Sequence, residues 1–205
     1  MIKGVLFDFD GTLTVPGALN FPAIKRMLGC PLDHPILEFI ASEPAERRPR
    51  LVKILEEQED LAAAASIPNR GAERCLQIIK AREIPMAILT RSRLKPIAMA
   101  LERFEGVTID DFKAIITREM SLPKPHPDGV IQAAEQMCLS PRELLVVGDF
   151  SFDVISGSGA GAVTVLLTNG GESVMGPDDP QPDYIIAHLE ELPALLSRPR
   201  RGAAR

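Results

Sequence analysis

Asp8 and Asp10 close the first apolar run of the chain, in Val5-Leu6-Phe7-Asp8-Phe9-Asp10-Gly11-Thr12. Two acids ending an apolar strand are a poor structural choice, so the pair reads as chemistry. Asp149 and Asp153 follow another such run, Leu144-Leu145-Val146-Val147, and Thr90-Arg91-Ser92 follows Pro85-Met86-Ala87-Ile88-Leu89. Lys124 stands in Pro123-Lys124-Pro125-His126-Pro127-Asp128. Carboxylates brought together repel, and core stability gives no reason to gather them, so a bound cation is the economical explanation. All-oxygen ligation suits magnesium better than zinc. Asp8, the main-chain carbonyl of Asp10 and Asp149 are the expected ligands, with Asp153 supporting them through a water or Lys124.

These groups define a reaction. Asp8, a carboxylate at neutral pH, can attack phosphorus and form an aspartyl phosphate. Asp10 can protonate the leaving alkoxide and later take a proton from the hydrolytic water, because the two steps are chemical reverses. Gly11, Thr12, Thr90, Arg91 and Lys124 are the expected phosphate contacts, and positioning plus charge stabilisation supply most of the catalysis in phosphoryl transfer. Taken singly, Thr90 is a strand end, Lys124 a surface lysine and Asp153 a helix N-terminal acid favoured by the dipole. Beside the other acids, all three read as functional.

Such residues need a frame that brings distant strand ends together. Apolar runs at 5–7, 85–89, 114–116, 144–147 and 163–167 read as buried strands. Helical spacing recurs between them, at 71–82, 94–104, 127–139 and 153–159. Alternating strands and helices predict an α/β fold, a doubly wound parallel sheet with right-handed crossovers, and ligands bind beyond the carboxyl ends of such strands. From 15 to 67 there is no strand signal, only Pro-punctuated helices expected at 21–28, 34–41 and 47–65. Asp183 to Ile186 and a helix at 188–196 complete the core. Residues 1–14 and 68–197 are thus expected to form the core domain, 15–67 a helical insert, and 198–205 a solvated basic tail.

Composition narrows the partners. The chain has 205 residues, 45% hydrophobic and 25% charged, with a net charge of −5, which fits a globular domain and disfavours binding to a nucleic acid backbone. No apolar run reaches the roughly 18 residues of a membrane span. The first apolar segment meets Asp8 too early for a signal peptide, so a cytoplasmic setting is expected. Cys30, Cys75 and Cys138, like His34, His126 and His188, are too scattered for a zinc site. Gly157-Ser158-Gly159-Ala160-Gly161 precedes a strand, the reverse of a dinucleotide-binding order, and reads as a helix end. Arg47, Arg48 and Arg50 read as a solvated face, with a role toward an anionic substrate as the alternative.

Asp8-Phe9-Asp10-Gly11-Thr12-Leu13, Thr90, Lys124 and Gly148-Asp149 with Asp153 resemble, in order and context, the four motifs of the haloacid dehalogenase superfamily. The resemblance implies a Rossmann-like core with a helical cap after the first motif, as in phosphoglycolate phosphatase and β-phosphoglucomutase relatives. It also implies Asp8 as nucleophile and Asp10 as acid/base; members that cleave carbon–halogen bonds lack the latter. A magnesium-dependent phosphatase for a small phosphorylated metabolite is the expected function. A phosphomutase on the same scaffold is the alternative, and a non-enzymatic phosphoacceptor switch a third reading. The chain departs from its relatives in three places. Leu13-Thr14-Val15-Pro16 stands where an Asp is usual, the cap is short, and Phe150-Ser151-Phe152 replaces small or polar residues.

Overall fold

The computed structural model describes residues 1–196. The tail expected at 198–205 lies outside the described residues. Six parallel strands form one sheet in the order β3-β2-β1-β4-β5-β6. They are β1 (Gly4–Phe7), β2 (Met86–Leu89), β3 (Phe112–Ile116), β4 (Leu144–Gly148), β5 (Val163–Leu167) and β6 (Tyr184–Ile186). Asp183 to Ile186 therefore contributes a sixth strand, paired in parallel with β5. Strands covered on both faces need continuous apolar sequence, and β1, β2, β4 and β5 are buried at every position.

Side chains alternate between two cores. Val5, Phe7, Ile88, Val147 and Val165 pack with α4 (Ala72–Ala81) and α5 (Leu94–Leu101). Leu6, Ala87, Leu89 and Val146 face the other way onto α6 (Asp128–Gln136). Beside α6 on that face lies α7 (Ser151–Ala160), whose Gly157 permits close approach to Thr164 and Val146 of the sheet. The glycine run noted in the sequence is thus the end of α7, closed by Gly161 at φ +79°.

The insert holds α1 (Phe21–Leu28), α2 (Ile36–Ser42) and α3 (Arg48–Ala65) around its own small core of Ile24, Leu28, Ile36, Ile40, Leu51 and Leu55. The Asn20 side chain accepts from the Ala23 N–H at 3.1 Å and starts α1, while Gly29 at φ +72° ends it. Outgoing and returning chains meet at a stem. Thr14 bridges Pro68, Val15 N–H donates to the Ile67 carbonyl at 3.1 Å, and Asn69 N–H donates to the Leu13 carbonyl at 2.8 Å.

The structure moves several expected helix ends. The second insert helix starts at Ile36 instead of residue 34, because Pro35 is extended at ψ 138°. α7 begins at Ser151, two residues before the expected start, because Asp153 accepts the Phe150 N–H from inside the first turn. α6 stops at Gln136, before Cys138 turns to φ +55°. The helix expected at 188–196 is a 3-10 turn over Leu189–Glu191 followed by α8 (Leu192–Leu195). Pro193 occupies the first turn of α8, where its missing N–H costs nothing.

Candidate active site

All the expected site residues lie at the carboxyl end of the sheet, on the loops that follow its strands or, for Asp153, in the first turn of α7. Asp8 leaves β1 with its N–H bonded to the Val147 carbonyl at 2.8 Å, so β1 and β4 present their following acids side by side. The chain then folds back on itself, with Leu13 and Thr14 N–H both donating to the Phe9 carbonyl at 2.9 and 3.1 Å. Gly11 sits in this turn at φ +88°, and a Cβ there would collide with the Asp149 carboxylate, so two demands exclude any other residue. Thr12 is fully buried and donates its hydroxyl to Asp149 Oδ1 at 3.1 Å. Gly148 serves Asp153 as Gly11 serves Asp149: a Cβ would overlap the Asp153 side chain.

Lys124 is buried, and its ammonium is fully engaged. It donates to Asp8, to Asp153 Oδ1 at 2.6 Å and to the Leu89 carbonyl at 3.0 Å. Burial works against its charge, yet Asp153 and Asp8 together outweigh that and hold its pKa above the ordinary lysine range. Oxygens of Asp8, Asp149 and Asp153 lie within 4.8 Å of one another. Burial, then the charges of Asp8 and Asp153, pushes Asp149 upward. Asp153 is also raised, chiefly by burial and partly by Asp8, with Lys124 pulling the other way. Asp10 is pushed up to about 7 by burial, by Asp8 and by Glu59, against the opposing pull of Lys124.

Thr90 is buried at the end of β2, where its hydroxyl accepts from the Ser92 N–H at 3.0 Å. A family model described as haloacid dehalogenase-like hydrolase matches residues 15–167. An uncharacterized hydrolase of Saccharomyces cerevisiae is 34% identical over 172 residues, covering 82% of this chain and 78% of the yeast protein. The chain belongs to the haloacid dehalogenase-like hydrolases. It is also similar to the phosphoglycolate phosphatase of Escherichia coli strain K12, 27% identical over 97% of this chain and 94% of that one. In fold it matches a hydrolase from Pseudomonas syringae with a TM-score of 0.79 and 22% identity, over 95% of this chain and 98% of that one. The haloacid dehalogenase-like hydrolase described here is thus an enzyme of the phosphoglycolate phosphatase-like branch.

In this hydrolase Asp8, Asp10, Thr90, Arg91, Lys124, Asp149 and Asp153 all line one cavity of about 540 Å³ between the sheet and the insert. Gly11 and Thr12 do not line it; they shape the loop behind the acids. Arg91 reaches across the cavity, pairing with Glu38 of α2 at 2.6 Å, donating to the Lys124 carbonyl and lying 5.2 Å over the Phe152 ring. Arg47, Arg48 and Arg50 are exposed and do not line the cavity; Arg47 and Arg48 are spent on Glu43.

Four contributors were invisible in the sequence. Asn169 donates to the Gly11 carbonyl at 2.9 Å, and Asn69 donates to the Thr12 carbonyl and to Asn169 Oδ1, both at 2.9 Å. The two amides therefore buttress the acidic loop from behind. Glu59 of α3, buried in the cavity wall, pairs with Arg93 at 3.1 Å and with Arg118. Glu38 anchors Arg91. The stem position of Asn69 was the one available signal, and it names no partner.

Proposed function

We propose that this hydrolase is a magnesium-dependent phosphatase that cleaves a phosphomonoester through a phosphoaspartate on Asp8. The supporting observation is that the two acids of the first loop face one cavity in different company. Asp8 is ion-paired to Lys124, whereas Asp10 makes no ion pair among the described residues and is pushed up to about 7. One carboxylate is thereby prepared to attack, and one carboxyl to give up a proton near neutrality.

The donor set fits a divalent cation. Three carboxylates face one ammonium, and burial penalises each charge that stays unbalanced. Asp8, Asp149 and the Asp10 main-chain carbonyl would hold magnesium, with Asp153 behind them. When bound, the ion supplies positive charge to the phosphoryl oxygens. The remaining work falls to the chain. Asp8 forms the bond to phosphorus as the ester bond breaks, Asp10 protonates the departing oxygen, and Thr90 and Lys124 orient the phosphoryl group. Asp10 then takes a proton from water as water displaces Asp8, releasing inorganic phosphate.

Residues 15–67 act in this reading as a cap over a core of 1–14 and 68–197, with α1, α2 and α3 closing the cavity against bulk water. A phosphomutase must hold a sugar in two orientations by its hydroxyls, and the wall facing the acids is largely apolar, which favours hydrolysis. Three free cysteines accord with a reducing, cytoplasmic setting, and among the described residues no helix is long and apolar enough to cross a membrane. Phosphate release from an aryl phosphate with magnesium is the direct assay. Asp8→Asn should lower it by at least about 1,000-fold; retained turnover in that variant would overturn the mechanism.

A further inference from the structure

Beyond the acids, the cavity is lined by Leu19, Phe21, Leu32 and Leu55 of the insert and by Phe150 and Phe152 of the core. Phe21, Leu32 and Phe150 leave 49%, 64% and 48% of their surface exposed, an unfavourable arrangement for large apolar side chains unless something covers them. Phe150 and Phe152 meet edge to face at 5.0 Å, directly after Asp149, so an aromatic corner begins where the acidic cluster ends. A volume of about 540 Å³ lies within the roughly 300–1,000 Å³ typical of sites for drug-sized ligands. A phosphoryl group with a two-carbon acid would leave most of it empty.

Most charges in this outer part are already paired. Arg91 is paired with Glu38, and Glu59 with Arg93 and Arg118. Lys25 donates to the Leu32 carbonyl at 2.6 Å and shares the rim with Asp33, so the two add no net charge. Among the described lining residues Arg91 and Lys124 are thus held by carboxylates, and Lys25, at the rim beside the Asp33 of the same lining, is the cation without an ion pair.

We propose that the substrate is the monophosphate ester of a bulky apolar alcohol, its hydrocarbon part lying against Phe21, Leu32 and Phe150. This rests on the phosphatase reading above. The balance is that of ester hydrolysis: the phosphorus–oxygen bond of the ester breaks, Asp10 supplies the proton to the alcohol, and water supplies the oxygen that leaves as phosphate. No further reactant is required.

Ethyl, hexyl and 2-phenylethyl phosphate have alkoxide leaving groups of similar basicity and differ mainly in apolar bulk. With wild-type protein and magnesium, kcat/KM should rise at least tenfold from ethyl to hexyl phosphate, since burying each methylene is worth up to about fourfold. Hexyl and 2-phenylethyl phosphate should both exceed phosphoglycolate and glycerol 3-phosphate. Phe150→Ser, a surface change in an exposed residue, should reduce the hexyl-to-ethyl ratio severalfold, with folding checked by an unchanged melting curve. Phosphoglycolate or glycerol 3-phosphate turned over faster than hexyl phosphate would overturn the inference while leaving the phosphatase reading intact. A flat ethyl-to-hexyl series would do the same. No phosphate release from any ester would overturn the phosphatase reading itself.

Discussion

At the scale of single residues, the site depends on where carbonyls and carboxylates are pinned. Asn69 and Asn169 hold the Gly11 and Thr12 carbonyls, and with them the turn between Asp8 and Asp149. Asn69→Ala should cost about 1–3 kcal/mol, the penalty of leaving buried polar groups unpaired, and should lower kcat tenfold or more because displaced catalytic groups lose their alignment. Urea denaturation and steady-state kinetics measure the two effects. If the amides act as one brace, the double variant with Asn169→Ala will lose less than the two single losses combined. Thiol chemistry offers a second check. Burial pushes the Cys75 thiol up to about 12, whereas Cys138 is exposed, so iodoacetamide at pH 8 should modify Cys138 and leave Cys75 untouched until the protein unfolds. The acids and Lys124 were legible in the sequence because each follows a strand signal. Asn69, Asn169, Glu38 and Glu59 were not, because their nearest partners in the site lie 57, 100, 53 and 34 positions away and no local pattern encodes such pairings.

Among the elements, α3 ties the insert to the core. Arg93, just before α5, pairs with Glu59 at 3.1 Å and Asp60 at 3.0 Å and donates to the Glu56 carbonyl at 2.9 Å. Arg118 approaches Glu59 from beyond β3. Breaking a buried ion pair by removing one partner strands the other charge, so Arg93→Ala should cost about 2–4 kcal/mol. It should also raise KM more than it lowers kcat and open α3 to limited proteolysis. Unchanged protease resistance would show that α3 is held by its apolar contacts alone. The strands and the long α3 could be read from sequence because apolar runs and helix-favouring Leu, Glu and Ala are local signals. Helix ends depended on Pro35, Cys138 and Pro193, and on the reach of Asp153 to Phe150, which are decided by turn geometry and tertiary fit.

For the whole molecule, the acidic cluster links stability to pH and, under the proposed function, to metal. Asp10, pushed up to about 7, and Asp149 and Asp153, both raised, keep protons in the folded state that the unfolded chain, with aspartates near 3.8, releases. Their stabilising contribution is complete below about pH 4 and is lost as pH rises through the raised folded values, about 6 for Asp153, about 7 for Asp10 and about 8 for Asp149. Magnesium competes with those protons, so it should raise the melting temperature by several degrees at pH 8, where ion at ~100 times its Kd contributes about 2.7 kcal/mol. At pH 5 the rise should nearly vanish. Calorimetry at both pH values with and without EDTA tests this, and an equal rise at both would contradict the assignment. Sheet order was inferred as doubly wound, and the observed order places β1 between β2 and β4. That position has a consequence for the growing polypeptide. Asp8 is made well before its neighbour on one side, β4, which starts only at Leu144. A ribosome-bound chain that has reached β3 already carries Asp8 and the insert, yet lacks Asp149 and Asp153, so under the proposed function a cation can reward folding only after α7 has begun to be made.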